Sequence, residues 1–408
     1  MSRRAFALSG LAAAAVSFTT TSGWSSGAAT AAGRGAGVRV RLPAPTGPYP
    51  VGTTELRLVD RARRDPWVPS RPYRELMVSV WYPALRTGGH PRAPHMRPEA
   101  AARFSTDRAP GLGVPDGTVD WAATRTHAHE DAPPDPRRGR LPVLVYAAGA
   151  GDPRTWGTVL VEEMASRGYL VITVDHTYES PAVRFPDGRV LDNAPLMKAM
   201  EEAQKNDTVV ELLGKLLRVR TADSRFVLDR LDALPHGLSR LADPRRVGFF
   251  GQSAGGVASA QAMYEDGRIA AGINLDGTLE LNQEPQGTNL LPVARHGLDR
   301  PLLLMGRAGS DRRTEPSWRA FWSHTKGWHG NLTLRDSKHQ SYTDLQSLLP
   351  QAGLPEKTVR KELGTVDPAR ATAAKRAYVA SFFDHWLRGD DDRLLDGPSP
   401  RFPEIEFV

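Results

Sequence analysis

Gly251-Gln252-Ser253-Ala254-Gly255 sets a serine hydroxyl between two glycines in the pattern G-x-S-x-G. The apolar run 246–250 before it predicts a buried strand, and the small residues 256–263 after it predict a tightly packed helix. Strand, sharp turn and helix together hold a serine out as a nucleophile. The glycines, lacking Cβ atoms, let strand and helix close on each other. Free N–H groups at the helix start face the place where charge would develop on an attacked carbonyl oxygen. The chemistry this pattern could do is acyl transfer through a covalent serine ester.

A serine hydroxyl is nearly inert at neutral pH. It needs a general base, and the base needs a third group that fixes its tautomer and stabilises its cation. On a strand–turn–helix scaffold the chain order is serine, carboxylate, histidine. Of eleven histidines, only His296, His324, His329, His339 and His385 come late enough. His339 is best placed, in a polar turn a few residues beyond the predicted strand 331–335, where a carboxyl-end loop would carry the base. His385 falls inside a predicted helix beside Phe383 and Trp386, His324 and His329 precede the strand, and His296 has no strand before it. Two aspartates compete for the third role. Asp276 ends the run 269–275 in the turn Asn274-Leu275-Asp276-Gly277, and Asp311 follows the next run, 301–305. Usual topology favours Asp311 and turn chemistry favours Asp276, so spacing leaves both open. One oxyanion N–H is expected from Ala254 and the other from the glycine-bearing loop 147–151.

The elements that must carry these groups are legible as alternating patterns. Strands are expected at 53–59, 76–82, 141–147, 169–174, 247–250, 269–275, 301–305 and 331–335. Helices are expected at 155–166, across 194–234 with Leu213, Leu216, Leu217, Val227 and Leu231 in one stripe, and at 368–387 with Gly389 as its cap. Such alternation predicts an α/β fold, a mostly parallel central sheet with helices on both faces. The stretch 84–138 reads as irregular. One catalytic domain, 51–388, is expected, preceded by a linker or extended arm at 32–50 and followed by a tail, 389–408, read as a surface strap.

Composition narrows the function classes. The chain has 408 residues, 40% of them hydrophobic, enough for a large core. The net charge is +7, but Lys and Arg are scattered with no aromatic-interleaved stripe, which argues against nucleic-acid binding and leaves attraction to an anionic lipid surface allowed. Cysteine is absent, so disulfides, thiolate metal sites and a cysteine nucleophile are excluded. Ser2-Arg3-Arg4-Ala5-Phe6-Ala7-Leu8, the short apolar stretch 10–18 and Ala29-Thr30-Ala31 read as a twin-arginine export leader over 1–31, and export of an already folded chain suits a protein without disulfides. His127-Ala128-His129 could offer two metal ligands on a strand, but an ordinary polar loop is the plainer reading, and no cofactor is expected. Tyr342, Leu345, Leu348 and Leu349 could line an acyl pocket, with core packing as the plainer alternative.

Taken together, residues 251–256, 274–277 and Lys338-His339-Gln340-Ser341-Tyr342-Thr343-Asp344 resemble the plasma (type II) platelet-activating-factor acetylhydrolase family, the lipoprotein-associated phospholipase type. Residues 42–53 and 74–83 are similar to its N-terminal part, so the resemblance spans about 38–388. It implies an α/β-hydrolase that splits short or oxidised acyl esters without a metal, through a mouth open to lipid surfaces. By resemblance the triad is Ser253, Asp276 and His339, with Asp311 as a surface or capping aspartate, and the second oxyanion N–H comes from Ala150. The family's His-Gly pair is Ala148-Gly149 here, and its G-H-S is Gly251-Gln252-Ser253, departures that bear on substrate. A polyester, cutin-type or general short-chain carboxylesterase would share the triad; a catalytically inactive binding protein would not need it.

Overall fold

The computed structural model describes residues 37–281 and 285–408. The leader at 1–31 and the start of the arm lie outside the described residues. Thirteen strands are described: β1 Val51–Asp60, β2 Arg74–Pro83, β3 Arg92–Pro94, β4 Arg125–Glu130, β5 Leu141–Ala147, β6 Leu170–Asp175, β7 Ala182–Arg184, β8 Val190–Asp192, β9 Ala242–Gln252, β10 Ile269–Leu275, β11 Leu302–Arg307, β12 His329–Leu334 and β13 Ile405–Phe407. Eleven form one sheet in the order β13-β12-β11-β10-β9-β5-β6-β2-β1-β4-β3, and β7 and β8 form a separate hairpin. The central run β6-β5-β9-β10-β11-β12 is parallel. From β5 the chain steps outward to β6, then returns to the other side of β5 as β9. That reversal makes a crevice at the carboxyl ends of β5 and β9, the place where an open α/β sheet holds its ligand.

Five helices matter for the site: α1 Thr158–Ser166, α2 Ala194–Lys205, α3 Val209–Leu228, α4 Ala254–Glu265 and α5 Pro368–Arg388. Alternation along β5 sends Val143, Val145 and Ala147 into one core with α3 and α4, and Leu144 and Tyr146 into another with α1 and α5. Both faces of a parallel strand are thus buried, which is why β5 reads as an unbroken apolar run.

Three stretches differ from the sequence pattern. The 84–138 stretch that reads as irregular contains β3 and β4; β4 is Arg-Thr-His-Ala-His-Glu, too polar to announce itself as a strand. The helical pattern 194–234 is two helices broken at Asn206-Asp207, where Asp207 takes φ 56°. The tail supplies β13, which closes the sheet edge against β12 with Leu332 opposite Phe407. The arm at 37–50 is extended and buries Val40 and Leu42 in a satellite core with Phe104, Trp156 and Leu345.

Candidate active site

Ser253 stands at the junction of β9 and α4 with φ 54° and ψ −123°, a conformation a side chain-bearing residue adopts only when its surroundings force it. The forcing is visible. The Ser253 N–H donates to Leu275 O at 2.8 Å, and the following helix packs so close to β5 that a Cβ on Gly255 would stand 1.9 Å from Ala147 O. No residue but glycine fits there.

Asp276 ends β10 with φ 56° in a turn that its neighbours lock. Gly277 N donates to Asn274 Oδ1 at 2.9 Å, Asn274 Nδ2 donates to Gly277 O at 2.7 Å, and Asp276 N donates to Met305 O at 2.8 Å. The carboxylate has three partners: His339 Nδ1 at 2.6 Å, the Arg307 N–H at 3.1 Å and Arg307 Nη1 at 3.0 Å. Burial opposes its ionisation, yet the His339 hydrogen bond, the charges of His339 and Arg307 and the Arg307 N–H outweigh it and hold the carboxyl below its ordinary value. Asp311 lies elsewhere in a turn of its own, where its Oδ1 accepts from the N–H groups of Arg313 and Thr314.

His339 begins a short 3-10 turn after β12, anchored by Lys338 N–H to Ser341 Oγ at 3.0 Å and by Ser341 Oγ to Leu363 O at 2.8 Å. Asp276 holds Nδ1, and Nε2 lies 2.9 Å from Gln252 Nε2. An amide N–H donating to Nε2 leaves the imidazole proton on Nδ1, the tautomer of a base whose free lone pair is at Nε2. The structure therefore brings His339 to Asp276, while the Gln252 amide, rather than the Ser253 hydroxyl, occupies Nε2. Ser253 and Asp276 are buried; the His339 side chain is 28% exposed.

The loop 147–151 passes directly over the serine. A Cβ on Gly149 would lie 3.4 Å from Ser253 Cβ and 2.6 Å from Gln252 Oε1. Behind Ala150 and Gly151 opens a cavity of about 280 Å³ with apolar walls from Leu196, Met197, Met200, Leu213 and Leu216, and charged residues Arg103, Arg108 and Asp192 among its lining. Arg108 reaches Asp152 at 3.0 Å and Arg103 reaches Asp192 at 2.6 Å. A larger groove of about 660 Å³, between the arm and the start of α5, is remote from this chemistry. Its Arg376 holds the arm carbonyls Pro43 and Ala44, and its Arg370 is paired with Glu404.

Other candidates fall in place around the site. His127 and His129 do lie on a strand, β4, and each imidazole meets a backbone carbonyl, Leu42 O at 3.0 Å and His90 O at 2.6 Å. Tyr342, Leu345, Leu348 and Leu349 are core residues and do not line the cavity. Sequence reasoning passed over Arg307 and Arg220. Arg307 follows an apolar strand, and Arg220 interrupts the apolar stripe of α3; each is a charge where the pattern calls for none, a signal with no partner attached.

Strained serine, buried carboxylate with its imidazole partner and glycine loop at a parallel-sheet switch point define the class: an α/β-hydrolase fold. Residues 118–240 match the family model described as platelet-activating factor acetylhydrolase, isoform II. Over 90% of its length the chain is 28% identical to a probable 1-alkyl-2-acetylglycerophosphocholine esterase of Arthroderma benhamiae, covering 93% of that protein. It is 23% identical to the platelet-activating factor acetylhydrolase of Gallus gallus, covering 93% of each. A solved ferulic acid esterase from Streptomyces cinnamoneus is 37% identical, superposes with a TM-score of 0.73 and is covered over 99% of its length, against 90% of this chain. These similarities make the chain a carboxylic ester hydrolase that resembles the platelet-activating factor acetylhydrolases, and its substrate is a small-molecule or lipid ester.

Proposed function

We propose that this chain hydrolyses carboxylic esters through an acyl-enzyme on Ser253, with His339 as the general base and Asp276 as the group that orients it. The observation that carries the reading is the 2.6 Å contact of His339 Nδ1 with Asp276, one residue from the strained Ser253 turn in the contact chain through Gln252. In the reaction His339 Nε2 takes the Ser253 proton as Oγ attacks the carbonyl carbon, then returns it to the leaving alcohol. The Gln252 amide must first yield Nε2. Water, activated by the same imidazole, releases the acid. The Ala254 and Ala150 N–H groups stabilise the oxyanion in both steps.

The acyl group enters the cavity behind Ala150. Its leucine and methionine walls suit an apolar or oxidised chain, and the arginines in its lining suit a polar chain end. Short or oxidised sn-2 acyl phospholipid esters are the first substrate class, as the names of the fungal and avian relatives suggest. The similarity to a ferulic acid esterase supports a second, aromatic acyl esters, which the same cavity could hold. The leader supports export from the cell by the twin-arginine route.

Fluorophosphonate labelling tests the nucleophile. The mature protein should label, and Ser253→Ala should abolish labelling and lower kcat on the order of a millionfold; labelling that survives the substitution would remove Ser253 from the role. Asp276→Asn should lower kcat by about 10⁴ and Asp311→Asn by little, since only the first removes the partner of Nδ1.

A further inference from the structure

Arg220 is a cation buried to 2% exposure on α3, and the reaction as described makes no use of it. Burying a guanidinium is unfavourable unless every donor is matched. Its Nε donates to Glu179 Oε2 at 2.7 Å, and Glu179, itself fully buried, is held from its other oxygen by Trp67 Nε1 at 3.2 Å. The two remaining arms of the fork go to backbone carbonyls: Nη1 to Ala148 O at 2.7 Å and Nη2 to Gly149 O at 3.2 Å. These are two successive peptides of the loop that passes over Ser253.

A trans peptide is planar, so its C=O and its N–H point in opposite directions. Holding Ala148 O and Gly149 O toward α3 turns the N–H groups of Gly149 and Ala150 away from α3. Ser253 and Gln252 lie against this loop: a Cβ on Gly149 would stand 3.4 Å from Ser253 Cβ and 2.6 Å from Gln252 Oε1. The Ala150 N–H makes no hydrogen bond among the described residues, so it is free to donate to a substrate. A cation at the carbonyl end also polarises the peptide and strengthens its N–H as a donor. The Gly149 carbonyl also accepts from the Asp152 N–H at 3.2 Å, whereas the Ala148 carbonyl is held by Arg220 alone among the described residues, and without it a glycine-bearing loop could flip that peptide at small steric expense.

We propose that Arg220 is the positioning residue of the oxyanion hole: its fork, held by Glu179, fixes the two loop peptides so that the Ala150 N–H stays aimed at the developing oxyanion. The inference rests on the assignment of Ser253 and Ala150 above. Lysine cannot replace arginine in this role, because an ammonium on a flexible stem does not span two carbonyls in a fixed geometry.

The test compares Arg220→Lys, which keeps a positive charge beside Glu179, and the double variant Arg220→Gln/Glu179→Gln, which removes the pair together, using p-nitrophenyl acetate and butyrate. We expect both variants to fold, kcat to fall by roughly 10–100-fold with KM within about twofold, and fluorophosphonate labelling to slow in proportion, because the charge that develops on its phosphoryl oxygen as fluoride leaves falls in the same hole. Millimolar guanidinium should restore kcat in Arg220→Ala without changing its melting temperature, a readout that a purely structural role would not move. The proposal is overturned if Arg220→Lys keeps the wild-type kcat, if the loss lies in KM, or if kcat merely follows melting temperature and guanidinium restores nothing. Failure of the underlying site assignment appears separately, as labelling that persists in Ser253→Ala.

Discussion

Asp276 has two partners, His339 and Arg307, and they act differently. His339 needs the carboxylate for its own tautomer, whereas Arg307 holds the carboxylate ionised and in place from the adjacent strand end. The sign of the pH effect follows. A carboxyl held below its ordinary value contributes stability above the unfolded value of 3.8, and that contribution is lost as pH falls through the lower folded value. Arg307→Met removes one of the forces that lower it, so the folded value rises toward the ordinary one. Acid unfolding followed by circular dichroism should then have its midpoint at higher pH than in wild type, and kcat should fall about tenfold as the carboxylate loosens; an unchanged acid midpoint would show that Arg307 does not stabilise the charge. The Gln252 amide meets His339 Nε2 directly, at 2.9 Å.

At the level of elements, α3 carries two tasks on one face. Leu213 and Leu216 wall the cavity, and Arg220, one turn beyond Leu216, holds the loop that roofs it. Residues four apart on a helix lie one above the other, so both tasks follow from a single stripe. Leu213→Trp fills the cavity without touching Arg220. It should leave kcat/KM for acetyl esters within a few-fold of wild type and lower it by about tenfold or more for octanoyl esters, a ratio measured with matched p-nitrophenyl esters. Equal losses at every chain length would place the acyl group elsewhere; sensitivity to the alcohol instead would make the cavity the leaving-group site.

Across the whole molecule, buried ionisable groups link stability to pH away from the chemistry. Glu162, on α1, is fully buried and pushed up to about 8 by burial, against the Ala128 and His127 N–H groups that hydrogen-bond it and the nearby Arg376, with Asp344 adding to the rise. A raised carboxyl contributes stability fully present below its unfolded value of 4.5 and lost as pH rises toward the folded value. Glu162→Gln removes the titrating group, and its stability relative to wild type should improve by roughly 3 kcal/mol between pH 4.5 and 7. Denaturant melts at the two pH values measure this, and a difference that does not change with pH would refute it. Lys375, buried and pushed down to about 7, acts in the opposite sense above pH 7, which is why the lower window is the informative one.

The chain alone determined the parallel core of the fold and the sharp turn at Ser253, because a buried parallel strand is a continuous apolar run and a strained strand-to-helix turn demands glycine at fixed offsets. Those signals are local. Strands β3, β4 and β13 escaped it because they are short or polar and exist only by pairing with strands far away in sequence. Spacing left open which aspartate meets His339, with resemblance alone favouring Asp276, and which side chain occupies its Nε2 and that Arg220 and Arg307 brace the site were decided only in the tertiary structure. Each is a contact between groups dozens of residues apart, and spacing along a chain carries no information about which charges share a buried space until the sheet brings its strand ends together.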